Sequence, residues 1–439
     1  MILHRASLLL APLTLAACGS GAQMPVEATI GPTPTIAAPR RSLIPTVNVA
    51  DAVGWPKGAT PTPAAGLAVG AFAEGLDHPR WLYVLPNGDV LVAETNAPPK
   101  PDDGGGVRSW FQSLFMKKAG STGASANRIT LLRDTDGDGR ADLRTVFATG
   151  LNSPFGMTLV GNRLIVADTD ALVALPYAPG ATQAGGPPAK LLALPAGTIN
   201  HHWTKNVVAA PDGRRLYVST GSNSNAGERG LAAEKGRAQI WEVDLRTGQS
   251  RTFAWGLRNP NGMAFEPTTG QLWTVVNERD ELGSDLVPDY LTSVQFGGFY
   301  GWPWVYWGEH VDTRVKEPRP FEASTSTVPD YALGAHTASL GLAFATGQRL
   351  APRFASGAFI GQHGSWNRKP KSGYKVIFVP FAGGRPAGPP VDVLTGFLNK
   401  EEDAQGRPVG VAIDRGGGLL VADDVGNVVW RVSAAGTGR

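Results

Sequence analysis

One pattern recurs six times along this chain, and it constrains the fold more than any other feature. Each copy has a polar residue or proline at its start, two or three alternating apolar residues, a glycine-containing turn, and a β-rich strand that ends in a small or polar residue. Such a pattern predicts period-two strands joined by tight turns. The copies span residues 78–95, 153–169, 202–222, 259–278, 339–363 and 407–424.

The spacing of the copies predicts an all-β fold, a six-bladed β-propeller over residues 66–439. Their starts lie roughly 50 to 80 residues apart, which is the size of a four-stranded blade with variable loops. Residues 66–76 precede the first copy and can supply the strand that completes the last blade and closes the ring. Propellers place ligands over the central channel, so the fold predicts where a site lies but not its chemistry.

Composition agrees with a turn-dense globular chain and excludes several classes of protein. The 439 residues include 56 glycines and 35 prolines, and 42% are hydrophobic, which argues against a helical bundle. A formal net charge of +3 is too small for a polyanion-binding surface, so we expect no nucleic-acid partner. The single cysteine cannot form an intramolecular disulfide.

The N-terminal region has the features of an export signal followed by a linker. A basic start and an apolar stretch lead into Leu-Ala-Ala-Cys at 15–18, the form of a lipoprotein cleavage box. We expect residues 1–18 to be a lipoprotein signal and Cys18 to carry lipid at the periplasmic face of a bacterial membrane. An ordinary secretory signal with a chance cysteine is the alternative. Residues 19–65, rich in Pro, Ala and Thr, predict a disordered linker.

Three linked motifs occur within residues 256–308. They are Arg-Asn-Pro-x-Gly at 258–262, an acidic loop at 277–285, and Gly-Gly-x-Tyr-Gly-Trp-Pro at 297–303. In order and spacing they resemble those of the quinoprotein glucose/sorbosone dehydrogenases, which include soluble aldose sugar dehydrogenases. Members of that family are six-bladed propellers that use pyrroloquinoline quinone (PQQ) and calcium. The resemblance covers about residues 66–435 and is closest to the sorbosone dehydrogenase-like branch.

The resemblance implies an oxidoreductase that oxidises an aldose or a sugar aldehyde by hydride transfer to PQQ. A periplasmic or membrane electron acceptor would then remove the electrons. PQQ carries three carboxylates beside an ortho-quinone, so its pocket needs several cations, and arginine suits planar two-pronged contact with a carboxylate. Two family residues that contact the cofactor fall on Arg258 and Asn259.

Two further cofactor contacts of the family fall on loops near the end of the chain. A lysine that meets the quinone falls in the loop after the fifth copy, and the sequence does not decide which cation of that loop takes its place. The candidates are Arg368, Lys369 and Lys371. The first of two arginines that grip the carboxylates falls on Arg407, whereas the second falls on Val409. This departure would be compensated if Arg368 substitutes for the missing arginine.

A histidine is the catalytic base in this family, shortly before a Pro-Asp-Gly turn. Counting back nine positions from Pro211 selects His202, and His201 would lie on the opposite strand face. A neutral imidazole near pH 7 can take the hydroxyl proton while hydride leaves the same carbon. In the glucose-oxidising members an aspartate orients the histidine, but Ser222 occupies that position here. A neutral partner can orient His202 without raising its basicity, so either the mechanism is modified or a different acid serves.

Two acidic loops are candidates for calcium. The loop at 277–285 aligns with the family loop whose backbone carbonyls and water bind calcium, around Glu278 and Arg279. The loop at 134–142 resembles the first nine positions of an EF-hand, although Thr145 replaces the usual last glutamate. Its carboxylates belong to Asp134, Asp136, Asp138 and Asp142. We expect this second ion to be structural, and a solvated acidic turn is the alternative.

Two other functions fit a six-bladed propeller. A metal-dependent lactonase would hold its central ion with side chains at blade ends, and the chain offers Glu94, Asn223, Asn259 and Asp424. That reading needs neither the motif at 297–303 nor the cluster of cations. A non-catalytic propeller that binds carbohydrate or protein is the third reading, favoured by the departures at Ser222 and Val409.

Overall fold

A computed structural model describes residues 21–41, 46–98 and 123–436, which form a six-bladed β-propeller. The predicted fold is confirmed, and each sequence copy supplies the first two strands of one blade. Cys18 and the predicted signal 1–18 lie outside the described residues. Helix in the described part is confined to four 3₁₀ segments. They are Val26–Thr29, Leu231–Glu234, Phe321–Thr325 and Pro352–Phe354.

Blades 1 to 3 are antiparallel sheets of four strands, numbered here in chain order after three N-terminal strands. Blade 1 contains β4 (Pro79–Val84), β5 (Val90–Glu94), β6 (Arg128–Arg133) and β7 (Leu143–Ala148). Blade 2 contains β8 (Met157–Val160), β9 (Arg163–Ala167), β10 (Ala171–Pro176) and β11 (Ala189–Ala193). Blade 3 contains β12 (Lys205–Ala209), β13 (Arg215–Thr220), β14 (Gln239–Asp244) and β15 (Ser250–Trp255).

Blades 4 to 6 each recruit a strand from the N-terminal part of the chain. Blade 4 contains β16 (Pro260–Phe265), β17 (Leu272–Val276), β18 (Pro288–Ser293), β21 (Tyr331–Ala335) and, at its edge, β1 (Ile30–Gly31). Blade 5 contains β22 (Ser339–Phe344), β23 (Gly357–Gln362), β24 (Lys375–Ala382), β26 (Val391–Thr395), β2 (Thr62–Pro63) and the short β25 (Arg385–Pro386). Blade 6 contains β27 (Pro408–Ile413), β28 (Leu419–Asp423), β29 (Val428–Ala434) and β3 (Leu67–Ala73). A small hairpin of β19 (Val305–Tyr306) and β20 (His310–Val311) extends from blade 4.

The ring closes as the sequence predicts, because β3 pairs with β29 as the outermost strand of blade 6. The first strand of each blade is innermost and packs against that of the next, and β27 packs against β4. Glycines on these strands permit the close approach. A Cβ added to Gly341 would lie 2.2 Å from Val409 O, and one added to Gly410 would lie 2.8 Å from Arg80 O. The second strands are buried on both faces, as in β28, because blades cover them on either side.

The N-terminal region differs from the predicted disordered linker over 19–65. Its described residues, 21–41 and 46–65, add β1 to blade 4 and β2 to blade 5. Between these strands, Trp55 packs edge-on against Phe397 and Trp430, and its Nε1 donates to Asp423 Oδ2 at 2.7 Å. A segment rich in proline and alanine has the same composition whether it is disordered or lies extended on a surface, so a few anchors decide between the two. None of the helical segments in the described ranges has the length and apolar character that a membrane crossing needs.

Candidate functional site

The polar residues of interest gather at one end of the central channel, called here the mouth. The two inner strands of each blade are antiparallel, so the N-terminal end of the first lies beside the C-terminal end of the second. Residues at both ends therefore face the same end of the axis. From the first strands and the loops before them come Arg80, Phe155, His202, Arg258, His336 and Arg407, and from the ends of the second strands come Glu94, Asp168, Ser222, Glu278, His363 and Asp424.

His202 lies just before β12, with its imidazole held by Ser222. Its Nδ1 is 2.7 Å from Ser222 O and 3.1 Å from Ser222 Oγ. A carbonyl oxygen can only accept, so Nδ1 carries the proton and Nε2 keeps a free lone pair in the neutral ring. Burial, and then the charge of Arg258, lower the pKa of His202 well below its usual value. Neighbouring His201 adds to this lowering. The ring is therefore a neutral acceptor at pH 7.

A buried cation shapes the loop that carries His202. Lys205 is fully buried, and its Nζ donates to His202 O and Trp203 O at 3.1 Å each. The amide of Asn200 accepts from Lys205 Nζ at 3.4 Å and from Arg237 Nη2 at 2.8 Å. Burial lowers the pKa of Lys205 well below its usual value. These bonds fix the backbone on both sides of the histidine.

Arg258 anchors a polar group on the blade 4 side of the mouth. Its Nη1 donates to Glu278 O at 2.7 Å, and its Nη2 donates to Asn225 Oδ1 and Asp280 Oδ2 at 3.0 Å each. Asp280 also accepts from Asn367 Nδ2 at 2.8 Å. Burial acts to raise the pKa of Asp280, but Arg258 and His336 hold it well below its usual range. Asp280 therefore stays ionised.

Arg407 and three other residues form a second polar group on the opposite side of the mouth. Arg407 is buried, and its Nη2 donates to Ala50 O at 3.1 Å. Asp424 Oδ2 accepts from His363 Nε2 at 2.9 Å and from Arg80 Nη1 at 2.6 Å. Burial lowers the pKa of His363 to about 4 in spite of the carboxylate, so this histidine is neutral at pH 7.

The three cations predicted from the loop after blade 5 do not join these two groups. Arg368 is buried and contacts Pro370 O, Met24 O and, at 3.6 Å, Asp285. Lys369 is exposed, and Lys371 pairs with Glu402 and Asn48. That one of them meets the quinone stays a prediction, because the N-terminal region engages Arg368 and Lys371 but leaves the buried Nε of Arg368 without a partner. The loop instead contributes Asn367, through its bond to Asp280.

The first predicted calcium loop, at 277–285, uses its side chains for contacts within the protein. Arg279 is fully buried and donates to Glu278 Oε2 at 3.0 Å and to Pro303 O and Val305 O at 2.8 Å each. The Arg279 side chain is thus satisfied within the protein, whereas only Oε2 of Glu278 is engaged by it. Calcium at this loop stays a prediction from the resemblance.

The loop between β6 and β7 lies at the other end of the blade. The carboxylates of Asp134, Asp136 and Asp138 each offer an oxygen within 4.8 Å of the others, and no other such acidic or histidine cluster occurs in the described residues. Asp142 instead accepts from Thr135. Calcium at this loop therefore stays a prediction, with Asp134, Asp136 and Asp138 as its possible ligands. An ion bound there would be remote from the mouth.

Unsatisfied donors test whether the mouth fits PQQ. The buried Nε atoms of four arginines have no hydrogen-bond partner, although other nitrogens of the same guanidiniums do, and these are Arg80, Arg258, Arg368 and Arg407. Buried groups of this kind are normally paired. Three of these arginines, Arg80, Arg258 and Arg407, stand at the mouth on blades 1, 4 and 6 with unused donors, and this set fits a ligand with several carboxylates.

Sequence reasoning missed part of this site. Arg80, Asp280 and Asn367 were not assigned, although Arg80 stands in the first sequence copy beside the strand-opening Pro79. Loop residues such as Asp280 and Asn367 lie in no repeat, and only the folded ring brings them together. The signal available for Arg80 was a cation at the position that Val409 and Asn261 occupy after Pro408 and Pro260 in other copies.

Comparison with known proteins agrees with the fold. A sequence model of the TrAA12-like family matches residues 113–289 and 321–435. An uncharacterised protein of Borreliella burgdorferi is 29% identical over 242 residues, covering 54% of this chain and 62% of that protein. The chain thus spans about 60% of the length of the curated relatives it matches.

Solved structures share the architecture. The iodide structure of a Trichoderma reesei carbohydrate-active enzyme of family AA12 has a TM-score of 0.67 at 20% identity, over 85% of this chain and 98% of that one. The PQQ domain of a pyranose dehydrogenase from Coprinopsis cinerea, in its holo form, has a TM-score of 0.65 at 21% identity, over 88% and 100%.

Proposed function

The chain belongs to the TrAA12-like family, and from this membership and the geometry of the mouth we propose that it is a PQQ-dependent dehydrogenase of a sugar. The substrate would be an aldose or a sugar aldehyde of the sorbosone type. Support comes from the shared fold with a pyranose dehydrogenase PQQ domain and from three arginines with unused donors. The motifs at 258–262 and 297–303 add the resemblance to quinoprotein sugar dehydrogenases.

The observation that carries the proposal is the state of His202. Its Nδ1–H is committed to Ser222 O, and its Nε2 is free and unprotonated at pH 7. In the proposed reaction Nε2 accepts the proton of a sugar hydroxyl while the same carbon gives up a hydride, which leaves a carbonyl group. Bound PQQ would supply the hydride acceptor.

Other residues of the mouth would bind and orient. Arg258 and Arg407 would hold cofactor carboxylates through their unpartnered Nε atoms. Asn259 packs beside His202 across Gly221, where a Cβ would lie 2.3 Å from Asn259 Oδ1 and 2.5 Å from His202 Cβ. Its buried Oδ1 also has no partner, which leaves an acceptor for a cofactor or substrate hydroxyl. Calcium near Glu278 and Arg279, if bound, would contact backbone carbonyls.

The test is reconstitution of the purified apo-protein with PQQ and calcium. Binding should change the absorption spectrum of the quinone, and addition of an aldose panel should then reduce an artificial acceptor. His202→Ala should keep the cofactor but lose about 10²- to 10⁴-fold in turnover, the range for a positioned base. His201→Ala is the matched control and should lose much less. A protein that binds no PQQ would contradict the proposal.

The lactonase function is less well supported. Its central ion would need Glu94, but both oxygens of that carboxylate accept from Arg128, and Oε1 also accepts from Thr130. Asp424 Oδ2 likewise accepts from Arg80 and His363. Two of the four proposed ligands thus already pair with arginine, although Asp424 Oδ1 and the Oδ1 atoms of Asn223 and Asn259 have no partner. The free base on His202 also argues against a propeller that only binds carbohydrate or protein.

We also propose export and lipid anchoring at Cys18, on the cleavage box at 15–18. The electron acceptor would then be a periplasmic or membrane component. Cells expressing the wild type and Cys18→Ala should differ after fractionation, with the wild type in the membrane fraction and the variant soluble. Equal release of both would overturn the anchor.

A further inference from the structure

Arg80 lies on β4 at the mouth, and neither the motifs nor the resemblance gives it a role. Its Nη1 donates to Asp424 Oδ2 at 2.6 Å, and its side chain is 12% exposed. The guanidinium carbon lies 5.8 Å from the centroid of the Phe155 ring and 5.9 Å from that of Trp203. Arg80 therefore reaches from Asp424 on blade 6 to the residue that follows His202.

Arg80 and Val409 occupy equivalent positions in neighbouring blades. Arg80 follows Pro79 at the start of β4, and Val409 follows Pro408 at the start of β27. Each proline pairs with the last residue of its second strand, so the two positions have the same depth along the axis. The strands also touch, because a Cβ on Gly410 would lie 2.8 Å from Arg80 O. Val409 itself is fully buried in an apolar cluster and can bind no anion.

We propose that Arg80 supplies the second carboxylate-binding arginine that the resemblance places at Val409. The inference rests on the proposed function, since the ligand is a carboxylate of PQQ. Arg80 Nη1 donates to Asp424, whereas Arg80 Nε has no partner. The edge of the guanidinium that contains Nε can therefore make a two-pronged contact with a carboxylate of PQQ.

The surroundings of Arg80 hold its guanidinium in place. Asp424 links Arg80 to Arg407, because its Oδ2 accepts from Arg80 Nη1 and its backbone N–H donates to Arg407 O at 3.4 Å. Two buried carboxyl groups, those of Asp423 and Asp424, accompany the two arginines, so the case for an anion rests on the buried, unpartnered Nε of Arg80. The flanking rings of Phe155 and Trp203 limit the rotation of the guanidinium.

The experiment titrates the full-length apo-protein with PQQ in calcium and follows fluorescence quenching. Arg80→Gln should weaken binding at least about 30-fold, the loss expected when a buried carboxylate loses a charged partner. Arg80→Lys restores the charge but not the planar fork, so it should recover only part of the affinity. The control is Arg431→Gln, because Arg431 pairs with Asp414 away from the mouth. Its affinity should match the wild type within about threefold.

A second variant guards against misfolding, since removal of Arg80 leaves Asp424 buried without its cation. The double variant Arg80→Gln/Asp424→Asn removes both charges and should fold, yet it should still lose the affinity. If wild type binds PQQ and this double variant binds within threefold of it, the role of Arg80 is overturned while the proposed function stands. If wild type binds no PQQ, the proposed function fails and this inference falls with it.

Discussion

Trp55 tests whether the N-terminal region is part of the folded domain. Its Nε1 donates to Asp423 Oδ2 at 2.7 Å, an atom that also accepts from Trp430 at 3.0 Å. Its ring lies 5.5 Å from the rings of both Phe397 and Trp430. Trp55→Phe removes one donor from a fully buried carboxylate, which should cost about 1 to 3 kcal/mol of unfolding free energy. Trp55→Ala also removes the ring, and its total should reach about 3 to 5 kcal/mol.

Urea denaturation followed by circular dichroism measures these differences. Trp366→Ala is the matched control, because Trp366 is 40% exposed and its substitution should change the unfolding free energy by less than about 0.5 kcal/mol. The order wild type, Trp55→Phe, Trp55→Ala supports a packed N-terminal region. A value for Trp55→Ala within 1 kcal/mol of wild type would refute the reasoning and restore the disordered linker.

Three further predictions concern charge. Ser222→Asp places a carboxylate beside Nδ1 of His202 and should raise the lowered pKa of this histidine. The acid limb of the profile of kcat against pH should then move to higher pH. A limb that does not move would exclude His202 as the base. Burial raises the pKa of Asp168 to about 7, so the folded protein holds a proton between about pH 4 and 7 that the unfolded chain has released. The unfolding free energy should therefore fall as pH rises through this window, by at most about 4 kcal/mol, and Asp168→Asn should flatten the slope measured by urea denaturation. The double variant Asp136→Ala/Asp138→Ala should have a lower melting temperature than wild type in calcium but not in chelator. Its affinity for PQQ should be unchanged. A loss of PQQ affinity would show that the structural calcium was assigned to the wrong loop.

The fold was predictable because its signal is repeated. Six copies at similar spacing each encode two strands, and β3, which precedes the first copy, closes the ring. The approach of His202 to the mouth was predictable from its distance to the Pro-Asp-Gly turn, but both His201 and His202 precede β12, so the expected placement on opposite faces of a strand does not apply to them. Such features depend on local chain geometry alone.

The loop cations were less predictable, because the direction of a side chain in a loop depends on what packs against it. Arg368 turns to Met24 O and Pro370 O, and Lys371 to Asn48, because the N-terminal region lies there. That contact joins residues more than 300 positions apart, and composition gives no sign of it. The segment that the sequence predicts to be a linker therefore supplies contacts to Arg368 and Lys371 that the sequence does not reveal.

A propeller also changes what a missing residue means. A linear motif records Val409 as the loss of an arginine, but the ring places six equivalent strand starts around one axis at one depth. A cation lost from blade 6 can then be supplied by the same position of blade 1, and Arg80 stands there with Nη1 fixed by Asp424, the carboxylate that follows β28 of blade 6. The total charge of the mouth is then unchanged, although the blade that contributes the arginine decides where the carboxylate contact lies. Departures from a family motif in a repeat fold are therefore best judged against the neighbouring repeats, and the titration of Arg80→Gln beside Arg431→Gln measures whether that substitution between blades holds here.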